Sequence, residues 1–168
     1  MPAQSIHPGD SALAARFRRE LEGEVLFDAG TRGRYATDAS IYQIEPLGVV
    51  VPKTEQDAIT ALQIALDEGV PVLARGGGTS QCGQTVGAAV VIDHSKHLNG
   101  IIAFDQDART VTVQPGVVLD HLNAYLKPHG LWYPVDVCTS AQATLGDMGG
   151  NNSCGSRSIE NGNMVHNV

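Results

Sequence analysis

Residues 75–85 read Arg75-Gly76-Gly77-Gly78-Thr79-Ser80-Gln81-Cys82-Gly83-Gln84-Thr85, the stretch of the sequence best suited to holding an anion. Consecutive glycines let several backbone N–H groups converge on an oxyanion, and the hydroxyls of Thr79 and Ser80 add donors without a lysine. Arg75 offers one positive charge to a ligand, or else pairs with a surface carboxylate. A P-loop needs G-x-x-x-x-G-K-[ST], which Gly78 to Thr85 meets except that Gln84 replaces the lysine. A dinucleotide fingerprint needs G-x-G-x-x-G; Gly76 and Gly78 are in place, but position 81 is Gln and no helix is expected to follow. A glycine-rich turn with no ligand stays open.

A second group of residues widens the choice. Pro71-Val72-Leu73-Ala74 runs into the glycine loop, and further on come Pro134-Val135-Asp136, Ser140, Thr144-Leu145-Gly146, Asn151-Asn152 and Gly155. Upstream stand Tyr35, Asp38-Ala39-Ser40 and Pro46 to Pro52, and Asp93-His94-Ser95 follows the strand after the loop. In this order the motifs resemble the FAD-linked oxidases with the vanillyl-alcohol oxidase (PCMH) type FAD-binding fold, a family that includes the flavin-binding component of glycolate oxidase and D-lactate dehydrogenases. The likeness covers about residues 30 to 168. The stretch Asn-Asn-Ser-Cys-Gly-Ser-Arg-Ser at 151–158 is similar to bacterial D-lactate or D-2-hydroxyglutarate dehydrogenase-like proteins.

The resemblance implies an α+β fold of two lobes with FAD between them, and assigns cofactor contacts in both motifs. In the loop these are Arg75, Gly76, Gly77, Gly78, Thr79, Ser80 and Gly83; in the second motif Pro134, Ser140, Thr144, Gly146, Asn152 and Gly155. The adenosine diphosphate half of FAD would touch residues 76–80 and 140–155. No histidine follows the glycine run, so the flavin is expected to be noncovalent. Family members continue well past Val168, so the resemblance implies an N-terminal fragment whose fold is incomplete at its C-terminus. The division expected is an N-terminal helical segment over 1–44, a first FAD-binding lobe over 45–100 and a second over 101–168. Substrate-facing groups would lie beyond this stretch, and no catalytic residue is nominated.

Two positions depart from the family pattern. Asn161 stands where Tyr-Gly is common, and Asp147 stands where the second glycine of T-[IL]-G-G is usual. At an effective dielectric of about 20, a like charge about 8 Å from a phosphate costs roughly 2 kcal/mol before screening, about thirtyfold in affinity. Weak FAD binding is therefore expected.

The elements that must position these residues are legible in part. Residues 11–21 read as an amphipathic outer helix, with Leu13, Phe17 and Leu21 on one face and Gly23 placed to stop it. Residues 48–52 form a buried type of strand, and Thr54 to Asp57 has the [ST]-x-x-[DE] form of a helix start. Along that helix Ile59, Leu62 and Leu66 recur at helical spacing beside Ala58, Ala61 and Ala65, until Gly69 ends it before a strand over 70–74. This makes a parallel β-α-β unit. The loop then opens a strand over 88–93 rather than a helix. Residues 101–104 and 110–114 read as a hairpin, 117–127 as a helix broken by Pro128-His129-Gly130, and the chain beyond Pro134 as rich in Gly, Asn, Ser and Thr.

Composition narrows the function classes. A chain of 168 residues with 42% apolar content can bury one real core or two small lobes. Net charge is −7 and no basic run exceeds Arg18-Arg19, which argues against nucleic acid or an anionic membrane surface as partner. Cys82, Cys138 and Cys154 form no C-x-x-C, and His94 and His97 have no third ligand in view, so no metal site is assigned. His121, His129 and Trp132 read as helix surface or core packing. The sequence shows no export signal and no run of ~18 apolar residues, so the expectation is cytoplasmic, with peripheral membrane association open. The expected function is the FAD-binding part of a flavin-dependent dehydrogenase of a 2-hydroxy acid such as D-lactate, glycolate or D-2-hydroxyglutarate. The electron acceptor is unassigned, some similar proteins carrying an iron–sulfur domain later in the chain. A nonenzymatic flavin- or nucleotide-binding module, and a flavin reductase using NADPH on the same fold, remain the alternatives.

Overall fold

The computed structural model describes residues 6–168; the first five residues of the N-terminal helical segment lie outside the described residues. Helix α1, Ser11–Glu20, is capped by the Asp10 carboxylate, which accepts from the amides of Ala12 and Leu13. Leu13, Ala14 and Phe17 are buried along one face. The helix stops because Leu21 turns extended. Gly23, expected to stop it, does something else: a Cβ there would come 2.4 Å from the Val51 carbonyl oxygen.

Strand β1, Glu24–Leu26, pairs antiparallel with β2, Gly48–Val51, and helix α2, Ala29–Tyr35, lies between them in sequence. Helix α3, Glu55–Glu68, begins at Thr54, whose hydroxyl accepts from the Asp57 amide at 3.1 Å. The Asp57 carboxylate does not return to Thr54 as a capping box would have it. Buried, it accepts from the amides of Glu22 and Lys53 and ties the end of α1 to the start of α3. Gly69, at φ +66°, closes the helix in the left-handed conformation.

Helix α3 packs with the opposite stripe from the one its large residues suggest. Ile59, Leu62 and Leu66 are exposed, whereas Ala61, Ile64 and Ala65 are buried. Small residues let the helix approach closely, and the leucine stripe is left outside.

Strands β3, Val72–Arg75, and β4, Val90–Asp93, complete a sheet of order β1-β2-β4-β3. Strands β2 and β3 are parallel as expected, but they are not neighbours: β4 inserts between them and pairs parallel with both. The residues of β2 and β4 are buried throughout, and β3 is an edge. A second sheet is the antiparallel hairpin of β5, Ile101–Asp105, and β6, Thr110–Val113. Helix α4, Leu119–Leu126, follows and runs into a single 3₁₀ turn closed by Gly130. The Gly- and Asn-rich stretch, in which no helix is expected from sequence, forms α5, Leu145–Gly150, and α6, Ser158–Asn161. Leu119, Leu122, Val135, Met148 and Met164 form the core of this part, separate from the Phe17, Val50, Ile64 and Val90 core beneath the first sheet. No helix of the described residues is long and apolar enough to cross a membrane.

Candidate functional site

The glycine loop leaves the C-terminal end of β3 and returns into β4, so no helix opens on it. Arg75 anchors it. Its guanidinium donates to the carbonyls of Thr37 at 2.8 Å, Thr85 at 3.1 Å and Tyr35 at 3.3 Å, and lies 5.1 Å from the centre of the Tyr35 ring. Among the described residues it pairs with no carboxylate. The Tyr35 hydroxyl in turn donates to Asp93 at the end of β4. Gly78 and Gly83, at φ +63° and +74°, need the left-handed region, and a side chain on Gly83 would meet the Tyr42 ring. The Ser80 hydroxyl accepts from the amides of Cys82 and Gln84 and donates to the Gln84 side chain, so it braces the loop's own turn. Hydrogen bonds within the loop and to Asp38 and Asp147 therefore use the amides of Gly76, Cys82, Gln84 and Thr85, and those of Gly78, Thr79 and Ser80 are unused among the described residues.

The start of α5 closes on the back of this loop. A Cβ on Gly76 would stand 1.9 Å from Thr144 Oγ1, and one on Gly77 would stand 2.2 Å from the Gln142 carbonyl oxygen. Both glycines are thus demanded by contact between the two sheets' connections. Gly146 is similarly tight, its amide donating to the Pro115 carbonyl at 2.8 Å. Asp147 reaches across and its Oδ1 accepts from the Gly76 amide at 2.9 Å. Burial pushes the Asp147 carboxyl above the ordinary carboxylate range, against the opposing pull of the Gly76 and Gly77 amides and Arg75.

The rest of the second motif clamps itself. Asp136 accepts from the Ser156 hydroxyl at 2.7 Å and the Arg157 amide at 3.1 Å, which with its other contacts holds its carboxyl below the ordinary range. Gly155 is required there, since a Cβ would fall 1.9 Å from the Asp136 carbonyl oxygen. Asn152, at φ +48°, accepts from the Val165 amide through its side chain. The Ser140 carbonyl accepts from the Asp120 amide at the start of α4.

Three cavities sort the site residues. A cleft of about 270 Å³ runs between the loop and α5, with Thr79 and Ser80 on one wall and Thr139, Asp147 and Asn151 on the other. Behind the loop, a cavity of about 140 Å³ is lined by Arg75, Gly76, His94, Thr144, Gly146 and Asp147. Pro134 lies elsewhere, in a pocket of about 540 Å³ with Phe104, Trp132 and Tyr133. The structure thus gathers Arg75 to Ser80, Thr144 and Gly146 around one locus, while Gly83, Pro134, Ser140, Asn152 and Gly155 line neither the cleft nor the cavity behind it.

Several side chains have partners that the sequence does not reveal. Cys138 and Thr139 line the cleft although neither belongs to a motif. His94, read as a loop residue, is half-buried behind the glycines, and burial pushes its pKa down against the pull of Asp93 and Asp147. His97 contacts Glu24 at 3.1 Å, His129 packs at a tilt against Phe104, and Trp132 lies under Arg157.

A diphosphate suits the front of this cradle. Thr79 and Ser80, whose amides are unused, line the cleft, but the innermost amide, that of Gly76, is already taken by Asp147.

Residues 46–168 match a family described as FAD binding domain. D-2-hydroxyglutarate dehydrogenase of Haemophilus influenzae is 36% identical over 153 residues, covering 89% of this chain and 15% of that protein. Glycolate oxidase subunit GlcD of Bacillus subtilis is 35% identical, covering 85% of this chain and 31% of that protein. The mitochondrial D-lactate dehydrogenase [cytochrome] 1 of Saccharomyces cerevisiae is 32% identical, with 73% and 21% covered. The chain therefore spans between 15 and 31% of these relatives' lengths. Among solved structures, alkyldihydroxyacetonephosphate synthase superposes with a TM-score of 0.81 at 19% identity, over 97% of this chain and 37% of that one. A BBE-like 1 variant of Physcomitrella patens superposes at 0.75 with 18% identity, over 90% and 33%. Both likenesses concern the fold alone.

Proposed function

We propose, from the premise that this chain belongs to the FAD binding domain family and has its α+β, vanillyl-alcohol oxidase (PCMH) type fold, that it holds FAD noncovalently for the oxidation of a 2-hydroxy acid. The observation that carries the cofactor reading is the loop of residues 76–80. It sits at the end of a parallel strand, is braced by Arg75 from behind, and places Thr79 and Ser80, whose amides are unused, on the wall of a cleft closed by α5. In that reading Gly78, Thr79 and Ser80 donate to the diphosphate, and Arg75 shapes the loop and supplies positive charge at short range. Thr144 and Gly146 set how closely the second segment approaches.

The substrate class rests on the relatives, whose names are those of dehydrogenases and an oxidase of D-2-hydroxyglutarate, D-lactate and glycolate. Bound FAD would supply the redox chemistry, accepting a hydride equivalent from the carbon bearing the hydroxyl. Since the chain spans so small a share of those proteins, turnover is proposed for the longer protein and not for these 168 residues alone. Dye reduction with D-2-hydroxyglutarate, D-lactate and glycolate, run on the purified chain supplied with FAD, is expected to show no turnover. A rate in the ordinary enzyme range of ~1 s⁻¹ or more would mean that the substrate groups lie within residues 1–168.

A further inference from the structure

Three buried polar atoms without hydrogen-bond partners are found among the described residues: His94 Nδ1, Thr144 Oγ1 and Asp147 Oδ2. All three residues line the same cavity of about 140 Å³ behind the glycine loop. Such atoms carry a free-energy penalty unless something joins them, and a cavity of this size with three polar partners has room for bridging water. The other oxygen of the same carboxylate accepts from the Gly76 amide at 2.9 Å, in the place where a phosphate oxygen would seek that donor. One side chain therefore connects the anion cradle on its front with an under-satisfied polar cluster at its back.

We propose that Asp147 is an internal anion of the glycine loop: its carboxylate holds the innermost amides while no phosphate is present, and a diphosphate gains them only as the carboxylate takes up a proton from solvent. The inference rests on the FAD-binding reading and goes beyond it in assigning a proton-coupled competitor to the same donors. The step adds one proton to one carboxylate oxygen and breaks no covalent bond. The groups that face Asp147 are consistent with it. Arg75 approaches from β3, but its guanidinium is committed to the carbonyls of Tyr35, Thr37 and Thr85. His94 faces it from the end of β4 with Asp93 adjoining, and Cys138 stands across the cleft. Burial favours the uncharged forms of both Asp147 and His94, so the cluster is poised to hold its proton on the carboxyl when the amides are taken by another anion.

The test is calorimetric titration of FAD between pH 5.5 and 8 into the chain, Asp147→Asn and Asp147→Gly, in buffers of different ionisation enthalpy. In parallel, the Gly76 amide resonance is followed with pH without ligand. Expected for the parent chain are an affinity that weakens toward about tenfold per pH unit once Asp147 is ionised, and uptake of about one proton on binding. Asp147→Asn, which keeps the shape and loses the charge, should bind with no such slope and no proton uptake. A parent profile as flat as that of Asp147→Asn overturns the proposal. If none of the three proteins binds FAD, the cofactor reading fails, and the amide decides the internal anion separately. A Gly76 resonance that titrates in the parent and not in Asp147→Asn upholds it, and one that is silent in both overturns it.

Discussion

Three main-chain carbonyls, those of Tyr35, Thr37 and Thr85, converge on the Arg75 guanidinium. A planar fork serves them with donors in fixed directions; an ammonium is a compact point charge without that pre-organisation. Arg75→Ala is therefore expected to cost about 2–3 kcal/mol in a urea denaturation measurement, with Arg75→Lys recovering only part of it. Equal stability of the three proteins would show that the brace contributes nothing. The importance of position 75 is legible in the sequence, but its role is not: the carbonyls it serves belong to residues 35, 37 and 85, which no spacing rule connects to it. Asp147 is legible as a misfit among glycines, whereas its contact with Gly76 spans 71 positions and is visible only in the fold. Its titration has a consequence for stability. With the folded-state pKa raised above the unfolded value of about 4, the folded state holds more protons in the window between the two. Stability from this group is thus fully present below the unfolded pKa and is lost as pH rises through the folded one. Asp147→Asn should be more stable than the parent at pH 7, with the gap closing toward pH 4; a less stable variant at pH 7 would contradict this.

Helix α3 shows what periodicity can and cannot tell. The 3.6-residue pattern correctly predicts a helix from Thr54 to Gly69, with both caps, because a hydroxyl at the start and a left-handed glycine at the end are local devices. It misassigns the buried face because Ile59, Leu62 and Leu66 suggest an inward stripe, while Ala61, Ile64 and Ala65 are the residues buried. Overpacking should then hurt more than truncation. Ala61→Leu is expected to destabilise by about 1–3 kcal/mol and Leu62→Ala by under about 1 kcal/mol, both by thermal or urea unfolding. The reverse order would mean that the leucine stripe is covered. Strand order is beyond the sequence's reach for a related reason, since β2 offers the same all-buried valine run to either β3 or β4. Helix α5 escapes notice because three of its six residues are glycine, and only Leu145 and Met148, three apart, hold it to the core.

At the scale of the whole molecule, the two sheets pack on separate cores, the first with buried clusters on both of its faces, and the glycine loop and the start of α5 are where their connections meet. We propose that residues 45–100 and 101–168 act as two lobes of one cofactor cradle, with the N-terminal segment supplying strand β1 to the sheet of the first. The cradle itself is legible in sequence because it depends on backbone amides and consecutive glycines. The cavity behind it is not, because His94 and Thr144 become neighbours only when the second segment folds back. The central claim is that FAD is held at residues 78–80. It is tested most directly by following the backbone amide resonances of the isotopically labelled chain during addition of FAD at pH 6. The account predicts saturable shifts of Gly78, Thr79 and Ser80, accompanied by Asn151 across the cleft and by Gly76 as Asp147 yields. Shifts confined to the pocket of Phe104, Trp132 and Tyr133, or no saturable shift at millimolar FAD, would contradict it.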